Sequence, residues 1–294
     1  MVCKAGPILV MLVVGLGEVE APTGVVGLVL VGEAVLEAVV AETDPPIVEY
    51  EDAEFFWASL TDYDAQIRSI FATENIITEA LRVFPAQHGT AVADLGCGVG
   101  RSFRHLRSFR VVYAVDNSKN MINKAMEQQE ANVVLMEGRI EDVALPERCG
   151  LVLALGSVMP ENNDHFHVMM ENIVRNTADD GVIMLYVPSM ESRTFAFQKH
   201  VDMMIDEGRT QEEIVDTTRA NILRYQFNPL GYMLTDSSLL QKQWLKEEIE
   251  YRLARYCFQS ICVEKFELDW DKQVNLPQYG HYPPHWNWFV TLRR

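Results

Sequence analysis

The sequence predicts an α/β fold with a doubly wound, mostly parallel sheet. Three observations point to it. Short apolar runs alternate with helical patterns from Thr90 to Val187, which is the signature of a parallel sheet covered on both faces. A glycine-rich turn, in VADLGCGVGRS at 92–102, follows the first of these runs. The last two apolar runs have no helix between them, so they are expected to pair antiparallel.

In chain order, residues 1–45 form a Val-, Leu- and Gly-rich leader that ends at the breaker Asp44-Pro45-Pro46. The apolar run Pro7–Gly17 after Lys4 loosely imitates a secretory signal, but it is too short to cross a bilayer about 30 Å thick as a helix. The leader is therefore read as poorly structured, and residues 46–294 as one domain. Helical patterns span Glu51–Leu60 and Tyr63–Val83, the second with Ile67, Ile70, Phe71, Ile77, Leu81 and Val83 on one face. Strands are expected at Thr90–Leu95, Val111–Val115, Val133–Glu137, Leu151–Leu155 and Val182–Val187. Helices are expected at Arg101–Phe109, Lys119–Gln129 and Phe166–Asn176. Right-handed crossovers then put ligands outside the carboxyl ends of the strands.

After Pro188 the rhythm breaks into an insertion at about 190–242, with helices near Thr194–Glu207 and Thr210–Asn221. A strand pair, Ile222–Phe227 and Tyr232–Asp236, is expected around the turn Asn228-Pro229-Leu230-Gly231. A helix at Trp244–Tyr256 and strands at Ile261–Trp270 and Trp286–Arg293 complete the chain.

The net charge of −17 disfavours nucleic acid and anionic membrane surfaces as partners. Five scattered cysteines with no CxxC pair suggest neither a zinc site nor a disulfide framework, and free thiols in a reducing cytoplasm are the simplest reading.

Gly96, Gly98 and Gly100 let the backbone turn sharply and leave room where a Cβ would clash. In the dinucleotide fingerprint GxGxxG, helix amides after the turn bind pyrophosphate. Here the third glycine falls one position early, and Asp94 places a carboxylate just before the turn. A fixed negative charge repels pyrophosphate and suits an ammonium or sulfonium cation. The sign favours S-adenosylmethionine over NAD.

DLGCGVG resembles the first motif of class I S-adenosylmethionine-dependent methyltransferases. The second strand runs into VVYAVDNSKNM, similar to the family's D-x-S-x-x-M, with Asp116 20 residues after Gly96. The resemblance implies that Asp116 accepts hydrogen bonds from the ribose hydroxyls, with Asn117 beside it. It also makes Ser118 a helix N-cap and sets Met121 against the adenine. EGRIEDVALP resembles the family's adenine segment G-D-A-x-x-L-P, but Arg139 stands where aspartate is common. Adenine recognition then falls to the backbone around Ile140 and to Glu141 or Asp142. The fourth strand, CGLVLALGSVMP, carries Gly150 where the family usually has aspartate, and ends in Leu155 and Gly156 beside the expected cofactor. Cys97 is read as a small filler beside the ligand. The resemblance covers about residues 50–294 and implies seven strands with the last antiparallel, a Rossmann-like methyltransferase fold.

Methyl transfer from a sulfonium needs placement more than acid–base help, and no catalytic residue is assigned. The run ENNDHFH at 161–167 offers metal-ligand types, but no second cluster accompanies it, and a helix-capping loop is the simpler reading. The N/D-P-P-Y tetrapeptide of amino-group methylation is replaced by GSVMP. The insertion after the fifth strand is expected to act as a lid, with Phe195, Phe197, His200, Met203 and Met204. In LPQYGHYPPHW, Tyr279, His281, Tyr282 and His285 are candidates for an acceptor pocket, against a reading as turn packing. The expected activity is methyl transfer to a small molecule in the cytoplasm. Arg139 and Gly150 keep open a methyltransferase-like binding or scaffold protein without catalysis, and an NAD oxidoreductase is a third option.

Overall fold

The computed structural model describes residues 69–84, 89–225, 228, 230–234, 239–274 and 277–294. The expected leader and the helix at Glu51–Leu60 lie outside them. A seven-stranded sheet forms the frame, in the order β3-β2-β1-β4-β5-β9-β8. Its strands are β1 (Ala91–Leu95), β2 (Val111–Asp116), β3 (Val133–Glu137), β4 (Cys149–Leu155), β5 (Thr177–Pro188), β8 (Ser260–Glu267) and β9 (Trp286–Arg293). The first five pair in parallel, and β9 runs antiparallel to both β5 and β8. The chain winds outward from β1 to β3, then returns past β1 to β4. The strand order thus reverses between β1 and β4, where open α/β sheets bind ligands.

Every residue of β1 is buried, as a central strand covered on both faces requires. On one face Ala91, Ala93, Leu95, Val152 and Ala154 share a core with Phe166, Met169, Met170 and Ile173 of α3 (Asn163–Asn176). On the other, Val92, Val112, Ala114, Leu151 and Leu153 pack with Ile77 and Leu81 of α1 (Ile76–Val83) and with Phe103. This alternation follows from the two-residue period of a strand.

The helices begin at polar caps. Asn75 and Thr78 form a reciprocal capping box at α1. Ser118 accepts from the Met121 amide at the start of α2 (Lys119–Met126), and Asn162 accepts from the His165 amide at 2.9 Å ahead of α3. Ser189 does the same for α4 (Met190–Asp206). The run ENNDHFH is therefore the cap and first turn of α3.

Several expectations are corrected. The helix expected over Arg101–Phe109 is a single 3-10 turn at Phe103–His105. Its buried residues Phe103, Leu106 and Phe109 recur every three positions, a spacing that suits a tighter coil than the α-helix. Within the described part of Tyr63–Val83, α1 starts only at Ile76 because Asn75 caps it there. The strand expected from Ile222 is instead the end of α5 (Gln211–Tyr225). The partner of β6 (Tyr232–Leu234) is β7 (Leu240–Lys242), which the sequence reading missed. Trp244 precedes α6 (Lys246–Leu253) and bridges to Ser189 outside any helix. Among the described residues no helix is long and apolar enough to cross a membrane.

Candidate functional site

The candidate residues gather at the carboxyl ends of β1, β2 and β4. Gly96, Gly98 and Gly100 have φ of 77°, 54° and 80°, in the left-handed region. A Cβ on Gly96 would lie 2.2 Å from Ser157 Cβ, and one on Gly100 would lie 2.4 Å from the Phe103 ring. Conformation and space both demand glycine at these two positions.

Four of the turn's five amides, those of Gly96, Cys97, Gly98 and Gly100, are engaged inside the protein. Gly96 and Cys97 donate to the Val115 carbonyl at 2.7 and 2.9 Å, and Gly100 donates to the Cys97 carbonyl at 3.0 Å. The Gly98 amide donates to Asp116 Oδ2 at 2.8 Å. Pyrophosphate needs outward-pointing amides at a helix N-terminus, and a single 3-10 turn follows here.

The charge beneath the turn has the opposite use. Asp94 is buried at 3% exposure and accepts a hydrogen bond from the Ser102 hydroxyl. Burial pushes its carboxyl up to about 6; the Ser102 bond draws it down and the charge of Asp116 pushes it further up. Asp116, also buried, accepts from the Ser118 amide at 2.9 Å on its other oxygen. Burial raises this carboxyl too, while the Ser118 and Gly98 amides hold it down. Each carboxylate oxygen has a second lone pair to offer. Two buried carboxylates, both raised by burial and one raised further by the other, form a site where a cation relieves the cost of ionisation.

Cys97 sits half-buried in the turn, and burial with the charges of Asp94 and Asp116 pushes its thiol well above the ordinary value. It stays protonated and makes a poor nucleophile. Asn117 is half-buried between Asp116 and the cap Ser118, while Met121 is fully buried on α2. Leu155 is half-buried at the end of β4, and Gly156 follows with φ of 81°, its amide donating to the Tyr186 carbonyl at 2.9 Å.

The loop after β3 is clamped by two buried asparagines of α3. Asn172 Nδ2 donates to the carbonyls of Ile140 and Val143 at 2.8 and 2.9 Å, and Asn176 Nδ2 donates to Val143 at 3.1 Å. This buries Ile140. Glu141 pairs with His165 Nε2 at 2.6 Å, and Arg139 lies 3.5 Å away. Burial opposes ionisation of Glu141, but the His165 bond, its own backbone amide and Arg139 together hold it below the usual range. Asp142 is exposed.

The four acceptor candidates lie on the loop between β8 and β9. Because Pro188 pairs with Asn287, this loop stands at the same edge of the sheet as the glycine turn. Its side chains pack largely on one another and on α4. Tyr282 Oη donates to Asp206 at 2.7 Å, while the rings of Tyr279 and His285 lie 6.2 and 4.8 Å from that of Trp270. His281 is exposed against Tyr282.

Sequence reasoning missed Ser102, Ser157, Asn172, Tyr186 and Lys199. Ser157 Oγ donates to the Leu95 carbonyl at 2.5 Å, joining the ends of β4 and β1. Tyr186 Oη accepts from Asn287 Nδ2 at 2.6 Å. Asn172 had a signal, a polar residue within the apolar stripe Met169, Met170 and Ile173; the serines had none. Among the described residues no three His, Cys, Asp or Glu side chains converge as a metal site.

Residues 92–181 match a family model described as a methyltransferase domain. No curated protein matches the chain. Among solved structures, it is similar to magnesium protoporphyrin IX methyltransferase from Synechocystis PCC 6803, solved with S-adenosylhomocysteine. The identity is 15%, over 74% of this chain and 80% of that one, with a TM-score of 0.48. It is also similar to 1,6-didemethyltoxoflavin-N1-methyltransferase from Burkholderia thailandensis, at 15% identity over 94% and 93% of the two chains and a TM-score of 0.48. A putative S-adenosylmethionine-dependent methyltransferase from Listeria monocytogenes gives 16%, 74%, 96% and 0.49. The matched segment runs from β1 into β5 and carries the glycine turn, Asp116 and the loop after β3, so residues 92–181 have the sequence pattern of a methyltransferase domain.

Proposed function

We propose that this protein binds S-adenosylmethionine at the glycine turn and transfers its methyl group to a small molecule. The observation that carries the reading is Asp94, a buried carboxylate under a turn four of whose five amides are engaged by Val115, Cys97 and Asp116. Such a cradle repels a diphosphate and favours a cationic ligand.

Asp94 and the turn from Gly96 to Gly100 would hold the methionine end, and Asp116 with Asn117 the ribose. Met121, Ile140 and Glu141 would border the adenine, and Leu155 with Gly156 would wall the sulfonium side. When bound, S-adenosylmethionine supplies a methyl group already activated on sulfur. The chain's own contribution is then to orient the acceptor in line and to exclude water. The insertion at 190–242 and the loop before β9 rise from the sheet edge that holds the cradle, and we assign them to covering the acceptor.

Gly150, a departure from the family pattern, gives no support to an inactive scaffold. It lies at the amino end of β4, away from the cradle, where a Cβ would come within 2.8 Å of Thr90 Cγ2. Its absence of side chain answers to packing.

The test is a transfer assay with methyl-labelled S-adenosylmethionine and a cell extract split by size. Label entering the small-molecule fraction is the expected result. Label confined to protein or nucleic acid overturns the small-molecule part, and cofactor binding without transfer to any fraction favours the scaffold.

A further inference from the structure

Two lysines are buried in this acidic chain, Lys199 at 3% exposure and Lys242 at 2%. Lys242 has the partner that a buried charge requires, Glu248 at 2.8 Å. Lys199 forms no ion pair among the described residues. Its Nζ donates to the Pro283 carbonyl at 2.9 Å and lies 3.5 Å from His285 Nδ1. It stands 5.0 Å from the ring centroids of both Phe195 and Trp270. All four neighbours are electron-rich and none is anionic. They solvate an ammonium without neutralising it.

His285 is pushed down to about 4 by burial and by the charges of Lys199 and Arg193, so its imidazole is neutral at physiological pH. The Trp286 ring lies 6.0 Å from Phe195, the ring that also faces Lys199. Trp286 Nε1 is a buried donor with no partner among the described residues. Such donors are uncommon in folded proteins and call for an acceptor. The cluster belongs to α4 and to the loop before β9, on the sheet edge that carries the glycine turn.

Resting on the methyltransferase reading, we propose that the methyl acceptor is a small organic anion whose carboxylate-type group is held by Lys199. The entering group exchanges with the Pro283 carbonyl, a neutral acceptor on an exposed loop residue. A carboxylate there gains a charge-assisted hydrogen bond that the carbonyl does not provide. An amide of the same shape gains none.

The probes are benzoate and benzamide, which match in shape and differ in charge. Each is titrated by calorimetry and by saturation-transfer NMR into the full chain with S-adenosylhomocysteine present. Benzoate is expected to bind about tenfold more tightly than benzamide, the ratio that one charge-assisted bond supplies. In Lys199→Met the preference is expected to vanish while S-adenosylhomocysteine binds as before. Equal binding of the two probes to the native chain, or no binding of either, overturns the proposal without recourse to any variant. A preference that survives in Lys199→Met also overturns it, and a lowered melting temperature with that preference intact marks Lys199 as structural. Failure of the native chain to bind S-adenosylhomocysteine is a different result, and it strikes the methyltransferase reading itself.

Discussion

The backbone amide of Gly98 donates to the Asp116 carboxylate at 2.8 Å, tying the turn after β1 to the end of β2. The other oxygen accepts from the Ser118 amide at 2.9 Å. One side chain therefore sets the shape of the turn and caps the entry to α2, and it still presents lone pairs to a ligand. Asp116→Asn replaces one acceptor with an NH2 group that faces an N–H donor. The variant is expected to lose at least about tenfold in S-adenosylhomocysteine affinity, since a hydrogen bond to a charged group contributes roughly 1.5–3 kcal/mol. Calorimetry measures the affinity, and a melting curve registers the loosened turn.

Asp94 predicts a conflict between stability and binding. Its carboxyl is raised from 3.8 in the unfolded chain to about 6 in the fold. Because the folded value is the higher, ionisation costs stability. The fold gives up about 3 kcal/mol as pH rises from about 4 through about 6. Asp94→Asn keeps an oxygen for the Ser102 hydroxyl and removes that cost. It is expected to melt above the native chain at neutral pH, with the gap closing below about pH 4. The same variant is expected to bind the cofactor poorly. Melting curves across pH, paired with calorimetry, decide both halves.

A cationic ligand over Asp94 favours its ionised form, so binding near pH 6 is expected to release a proton. Affinity should then rise with pH up to about 6 and level off above it. Binding heats in buffers of different ionisation enthalpy count the protons released. A count of zero at that pH contradicts the placement of the cation over Asp94.

Gly96→Ala places a methyl 2.2 Å from Ser157 Cβ at a φ of 77°. The left-handed conformation costs about 1–2 kcal/mol and the clash adds about 1–3 kcal/mol. The melting temperature is expected to fall and the cofactor affinity with it. Gly150→Ala is the contrasting case, with Thr90 as its only close neighbour. It is expected to cost about 1 kcal/mol while leaving cofactor affinity within about twofold.

Much of the fold could be read from the sequence because strands buried on both faces leave unbroken apolar runs. The cradle was legible for a related reason: glycines at positive φ and a carboxylate at a strand end are local requirements. What escaped depends on distant contacts. The pairing of Glu141 with His165 spans 24 residues, and the clamp of Asn172 on Ile140 spans 32. Ile222 looked like strand because its branched side chain favours extended backbone, yet it lies in α5. The fifth strand was expected only from Val182, yet β5 begins at Thr177, which pairs with Cys149 across an irregular register. Lys199 was hidden in a Met and aromatic stripe, since nothing in the linear order shows that Trp270 and His285 close around it.

The central claim is that the glycine turn is built for a cation and excludes a diphosphate. Parallel calorimetric titrations of the full chain with S-adenosylhomocysteine and with NAD test it most directly. The ammonium-bearing S-adenosylhomocysteine is predicted to bind saturably and to lose affinity in Asp94→Asn, with no saturable binding of NAD. Saturable binding of NAD, or unchanged S-adenosylhomocysteine binding in Asp94→Asn, would contradict it.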